Sequence, residues 1–232
     1  MTFRLSITLF FLSFVAACGS HSTWQDNPRT HIVRKGETLY SIAWRYGKNT
    51  QDIARGNRLG NGSLIYPGQV LRLTGSTSRS RSATRSTTRS TPSASQPAPR
   101  PLPSIPSQPA PKWSWPTQGR INVVFGAKPG TGTGVLINGK AGQSIKAAAP
   151  GRVVYAGSGL IGYGKLIIIK HNDTYLSAYG YNASLLVKEG DQIKKGQKIA
   201  TMGEGPERKQ RLHFEIRRNG EPVNPRQYLP ER

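Results

Sequence analysis

Hydrophobic positions along the chain fall into three differently textured regions, separated by polar stretches. Residues 5–17 form an almost continuous apolar run. Shorter patterned segments follow between residues 30 and 74. His31-Ile32-Val33 predicts a strand, and the spacing of Leu39, Ile42 and Ala43 predicts a helix over 38–46. A second helix is expected over 50–56 and a closing strand over 69–73, with Thr38 and Thr50 as caps and Gly47 and Gly56 as stops. Beyond residue 113 the runs at 120–124, 134–137, 144–147, 152–156, 165–171, 174–181, 198–202 and 212–217 are short, β-rich and separated by turn residues. That spacing predicts an all-β sandwich or barrel-like assembly. In the last run Leu212, Phe214 and Ile216 alternate with His213, Glu215 and Arg217, so one face belongs to the core and the other to a surface or groove, with His213 exposed there.

Residues 75–112 carry Ser, Thr, Pro, Ala and Gln with Arg79, Arg81, Arg85, Arg89 and Arg100, and no acidic or aromatic residue. Such a stretch cannot bury enough apolar area to offset chain entropy and is expected to be a disordered, self-repelling tether, with polyproline character over 97–111. The pattern is therefore multidomain: a small α+β unit over 30–74, a linker over 75–112, and an all-β domain over 113–232.

Charge and cysteine usage sharpen this. With 33 Lys+Arg against 11 Asp+Glu the formal net charge is +22, which predicts attraction to a polyanion. The single cysteine, Cys18, excludes an internal disulfide framework, so stability must come from packed cores. Residues 1–17 start with one positive charge at Arg4 and end in small residues, the pattern of a secretory leader. The apolar run is shorter than the roughly 20 residues of a membrane-spanning helix. Val15-Ala16-Ala17-Cys18 resembles the bacterial lipobox, which implies acylation at Cys18 and a mature chain beginning there, with a short arm over 18–29. Gly19, in place of an aspartate, implies the outer membrane in that resemblance. For an exported chain the expected polyanions are the cell wall and anionic lipid rather than nucleic acid.

Val33-Arg34-Lys35-Gly36-Glu37-Thr38-Leu39, Asn57-Arg58-Leu59 and Ile65-Tyr66-Pro67-Gly68-Gln69-Val70-Leu71 resemble a LysM module. The resemblance implies a βααβ unit that binds N-acetylglucosamine-containing glycans between two loops. Carried over, its glycan-binding residues are Gly36, Glu37, Thr38, Leu39, Asn61, Ile65, Tyr66 and Pro67. Glu37 stands where the family usually has aspartate, which keeps the carboxylate.

Ala147-Ala148-Ala149-Pro150-Gly151-Arg152-Val153-Val154-Tyr155-Ala156-Gly157, Gly162-Tyr163-Gly164 with the strand after it, and Leu212-His213-Phe214-Glu215-Ile216-Arg217 resemble the LytM (lysostaphin-type) metallopeptidase domain. Active members hold one zinc with a His-x-x-x-Asp pair and the second histidine of His-x-His. Here Gly132 stands for the first histidine, Leu136 for the aspartate, Tyr181 for an assisting histidine and Arg211 for the first histidine of the last pair; His213 alone is kept. A catalytic zinc site needs about three protein ligands, so neither bound metal nor any cofactor is expected, and no hydrolysis.

The order of leader, LysM module, basic tether and ligand-stripped LytM domain resembles the NlpD-type division lipoproteins. What that resemblance implies is an outer-membrane-anchored activator on the periplasmic side, enriched at the division septum. Its partners would be peptidoglycan, the membrane that takes its lipid, and a periplasmic N-acetylmuramoyl-L-alanine amidase. The amidase would dock on a groove formed by Gly132, Leu136, Tyr181, Arg211 and His213. A working zinc endopeptidase and a passive wall-binding tether are the alternatives.

Overall fold

The computed structural model describes residues 28–60, 64–74, 108–128 and 130–231. The leader, Cys18, Asn61 and the tether over 75–107 lie outside the described residues. Among the described residues, no helix is long and apolar enough to cross a membrane.

The first unit has the expected βααβ order: β1 (Thr30–Ile32), α1 (Leu39–Arg45), α2 (Thr50–Gly56) and β2 (Val70–Arg72). β1 and β2 pair antiparallel, with His31 opposite Leu71. Val33, Leu39, Ile42, Ala43, Ile53, Leu71 and Leu73 make the core, joining one face of each helix to the strand pair. Thr38 caps α1 through a reciprocal box. Its hydroxyl accepts from the Ser41 N–H at 3.1 Å while Ser41 Oγ accepts from the Thr38 N–H at 3.0 Å. At α2 the cap is Asn49, not Thr50, because the Asn49 carboxamide oxygen reaches the Gln51 N–H at 2.8 Å and leaves Thr50 as the first helical residue. Gly47, at φ +59°, follows the end of α1 as expected. Gly56 stays inside α2, and Asn57 ends it instead. The Asn57 side chain donates to Ile53 O and Arg72 O, both at 2.8 Å, and accepts from the Arg72 N–H at 2.7 Å, pinning the helix end to β2.

The second unit is almost entirely β. Its strands are β3 (Ile121–Val123), β4 (Val135–Asn138), β5 (Ser144–Lys146), β6 (Gly151–Gly157), β7 (Lys165–Lys170), β8 (Tyr175–Leu185), β9 (Gln192–Ile193), β10 (Lys198–Met202), β11 (Arg211–Arg218) and β12 (Glu221–Val223). They pair antiparallel in the order β3-β4-β11-β8-β7-β6-β9, with β10 joining β8 to β5 and β12 beside β11. β8 continues four residues past the predicted end at Tyr181, across an irregularity in its pairing with both β7 and β10. β9 and β12 were not predicted, being too short and polar to show a period. The main core holds Val135, Ile137, Ile145, Ala147, Ala148, Ala149, Ile167, Ile169, Tyr179, Phe214 and Ile216, among others. Gln108 and Pro109, assigned to the linker by composition, are hydrogen-bonded to the β7–β8 turn: the Gln108 N–H donates to Thr174 Oγ1 at 2.8 Å and Asn172 Nδ2 donates to Pro109 O at 3.0 Å.

His171, just past β7, is locked by two hydrogen bonds. The Pro150 carbonyl lies 2.7 Å from Nδ1, so that nitrogen carries the proton and Nε2 accepts from the Ser177 hydroxyl at 2.8 Å. Burial of the ring pushes its pKa down to about 4, against the smaller upward pull of the Pro150 carbonyl. The unfolded chain therefore takes up a proton below about pH 6.5 that the folded chain refuses until about pH 4. Stability should fall as pH drops through that window, by about 2 kcal/mol, less than the full shift implies because water still reaches part of the ring. His171→Gln is expected to flatten this slope in urea unfolding curves taken between pH 7 and 4.

The two units touch. Trp44 leaves the core of its own module and is buried among Tyr155, Leu160, Tyr163, Leu166, Ile168 and Ala178 of the β domain. The Arg217 guanidinium stacks 3.7 Å from the Trp44 ring centroid and donates to the Trp44 carbonyl at 2.7 Å, satisfying a carbonyl in the last turn of α1.

Candidate functional site

Antiparallel pairing brings three of the five predicted groove residues, Leu136, Tyr181 and His213, together. His213 on β11 lies opposite Leu136 on β4 and Gly180 on β8, so Leu136, His213 and Tyr181 meet across three adjacent strands. Tyr181 packs with Leu136 and Val123, and its ring stands edge-on to His213 at 5.9 Å between centroids. Gly132 sits half-exposed in the β3–β4 loop, where its carbonyl accepts from the Gly126 N–H at 2.9 Å.

Tyr181 has φ +62°. A bulky residue in the left-handed region carries backbone strain, of order 1–3 kcal/mol. Its amide donates to Tyr163 O at 2.8 Å and its carbonyl accepts from the Gly203 N–H at 2.9 Å, contacts that hold the strained residue in place.

His213 is not exposed, contrary to the expectation from strand alternation. It is 1% exposed, and β11 is buried on both faces from Arg211 to Arg217. The second face is covered by residues distant in sequence. Tyr163 stands edge-on to His213 at 5.2 Å, and Thr133 and Tyr163 approach Glu215. Glu215 is the hub: its carboxylate accepts from Arg217 Nε at 2.6 Å and Thr133 Oγ1 at 2.8 Å, and lies 3.0 Å from His213 Nε2. Burial alone would raise the Glu215 pKa, but the Arg217 guanidinium and His213 hold it below the usual carboxylate range. Burial also raises the pKa of Tyr163, helped by the Glu215 charge. Sequence reasoning named His213 and missed Glu215, Arg217, Thr133 and Tyr163. The available signal was three polar residues on one face of a strand whose other face is core.

Arg211 is fully buried, with Nε and Nη1 lacking a hydrogen-bond partner; Nη2 lies 3.4 Å from Glu207. The segment over it, between β10 and β11, holds Glu207 at φ +61° and Arg208 at φ +53°, two consecutive non-glycine residues in the left-handed region. The predicted groove is thus assembled but closed, with Leu136, Tyr181, Arg211 and His213 each at most 7% exposed.

In the small module the predicted glycan-binding residues separate into two sets. Gly36, Tyr66 and Pro67 are exposed and Ile65 is half-buried, whereas Leu39 is a core side chain with no accessible surface. The Glu37 carboxylate is also committed internally. It lies 2.7 Å from His31 Nε2 and accepts from Arg45 Nη1 at 2.6 Å and the Arg34 N–H at 2.9 Å. Burial raises its pKa, and these partners together bring it below the ordinary value. Thr38 Oγ1, besides capping α1, donates to Val154 O of the β domain at 3.2 Å.

The two units define a class: a βααβ wall-binding-type module joined to a peptidase-like β domain. Residues 31–74 match the LysM domain and residues 130–225 match Peptidase family M23. The chain is 42% identical over 229 residues to the Lipoprotein NlpD/LppB homolog of Pseudomonas aeruginosa, a match covering 87% of this chain and 77% of that protein. It is 39% identical over 213 residues to the uncharacterized lipoprotein YgeR of Escherichia coli, covering 91% of this chain and 85% of the relative. The match to the murein hydrolase activator NlpD of Escherichia coli is 56% identical over 126 residues, 54% of this chain but 33% of that longer protein. The chain belongs to the NlpD/LppB lipoprotein family.

The peptidase family implies zinc, and the residues present do not fit it. At the positions that the sequence resemblance assigns to the ligands stand Gly132, Leu136, Tyr181 and Arg211, and His213 is engaged with Glu215. Among the described residues no group of three His, Cys, Asp or Glu side chains gathers where it can hold a metal ion.

Proposed function

We propose that this protein is a catalytically inactive, lipid-anchored activator of a periplasmic N-acetylmuramoyl-L-alanine amidase. Acylated Cys18 holds it on the periplasmic face of the outer membrane. The LysM module grips peptidoglycan through Gly36, Thr38, Ile65, Tyr66 and Pro67, together with Asn61. The amidase docks on the groove of Gly132, Leu136, Tyr181, Arg211 and His213 and is held there in its open state, so that septal wall is split where the protein is enriched. A ligand activates in this way only by binding the open state of its partner better than the closed one.

One observation carries the reading: where a zinc peptidase needs ligands, this chain places an apolar side chain, a strained tyrosine and a buried arginine with two unpaired guanidinium nitrogens. That lining is wrong for a hydrated dication and right for a protein segment with aromatic and acidic groups. The naming of an NlpD relative as a murein hydrolase activator adds support. The test is retention of a purified periplasmic amidase on the immobilised chain. Saturable binding is expected, with no turnover of sacculi by this protein alone in zinc-containing buffer. Turnover by this protein alone, or no retention, contradicts the reading.

A further inference from the structure

We propose that the LysM module plugs the groove domain, and that glycan captured by its β1–α1 loop releases the plug. The inference deepens the activator reading and rests on it for the identity of the two ligands.

Trp44 anchors the plug. It points out of α1, takes no part in the module's own core, and is 3% exposed only because the β domain covers it. Arg217 covers its ring and caps its carbonyl. Arg45 Nη2 adds a longer contact to Gly159 O at 3.4 Å, and Thr38 Oγ1 donates to Val154 O. These contacts join α1 to β6 and to the glycine-rich segment leading into β7.

The same contacts run on into the groove by two routes. Arg217 binds Glu215, which binds His213; Tyr163, packed against Trp44, stands edge-on to His213. The docked module is therefore one or two side chains from the residues a partner must touch, and those residues are closed to solvent. When α1 lifts away, Tyr163 loses a wall and the segment holding Gly159, Gly162 and Gly164 is freed to move, uncovering His213 and Tyr181.

Thr38 supplies the trigger. It lies in the loop expected to hold sugar, and its hydroxyl is spent on Val154 O in the docked state. Glycan and β domain therefore compete for one face of the module. Because coupling between sites is reciprocal, glycan tightens partner binding and the partner tightens glycan binding by the same factor. Activation is then confined to protein that has found the wall.

The test uses the full lipid-free chain carrying Cys18→Ser, with chitotetraose as the glycan probe. Hydrogen exchange over residues 152–164 is expected to accelerate on saturation with chitotetraose, and amidase affinity to rise on the order of 10-fold. Trp44→Ala should show both effects without sugar and no further response to it. Chitotetraose binding by this variant checks that the module remains folded, as the position of Trp44 outside its core predicts. Unchanged exchange in the wild type at saturating chitotetraose overturns the proposal, as does an amidase that binds both proteins but binds Trp44→Ala no tighter than wild type. If exchange accelerates in both cases while neither protein binds an amidase, the plug stands and the activator reading fails.

Discussion

Replacing Arg217 with alanine is expected to destabilise the protein by about 3–5 kcal/mol, the effect of stranding a buried charge without its partner. Glu215 is fully enclosed, and its strongest opposite charge is the guanidinium 2.6 Å away. In the wild type this carboxyl is held below its ordinary pKa, so its contribution is present above the unfolded-state value and is lost as pH falls through the depressed one. In Arg217→Ala the largest lowering influence is gone and only His213 and Thr133 still oppose burial, so the carboxyl shifts upward and takes a proton more readily, and the deficit relative to wild type should shrink as pH falls from 7 through the unfolded-state value toward the depressed one. Removing both charges at once, as Glu215→Gln with Arg217→Met, should cost far less than Arg217→Ala alone. Urea unfolding of the three proteins at pH 7 and pH 4 separates these outcomes. A deficit in Arg217→Ala under about 1 kcal/mol, or one that grows on acidification, would show that the network does not hold this strand face together.

The second large effect is on partner binding. Tyr181→Ala combined with Arg211→Met is expected to lower amidase affinity at least roughly 30-fold, the scale of an interface anchor of about 2 kcal/mol. Folding should survive, because Tyr181 belongs to the small cluster with Val123 and Leu136 rather than to the main core. Arg211→Met keeps roughly the volume while removing a buried guanidinium that has two unpaired nitrogens, so stability should hold or rise. Stability maintained with affinity lost is the signature of a binding role. Unchanged affinity in the double variant would remove both residues from the docking surface.

Much of this architecture is written in local pattern. The switch from helical spacing at Leu39, Ile42 and Ala43 to strand alternation beyond residue 120 located both folded units, and the turn residues between runs placed seven of the β-domain strands near their observed ends and the start of an eighth, β8. What local pattern could not show depends on residues far apart. His213 is buried because Tyr163 lies 50 positions away and covers it. Glu215 and Arg217 read as the surface or groove face of the strand; Thr133 and Tyr163 close over Glu215, and Trp44, 173 positions before Arg217, docks on Arg217. The cap at Asn49 escaped notice because Thr50 is also a good capping residue and only geometry decides between them. Pairing register, which sets Leu136 opposite His213, is likewise a property of the assembled sheet.

The measurement that bears most directly on the account is release of dye from labelled sacculi by a purified periplasmic amidase, with this protein, the amidase or both present, in zinc-containing buffer. The account predicts little release by either alone and strong release by the pair. Release by this protein alone, or an amidase rate unaffected by its presence, would contradict it.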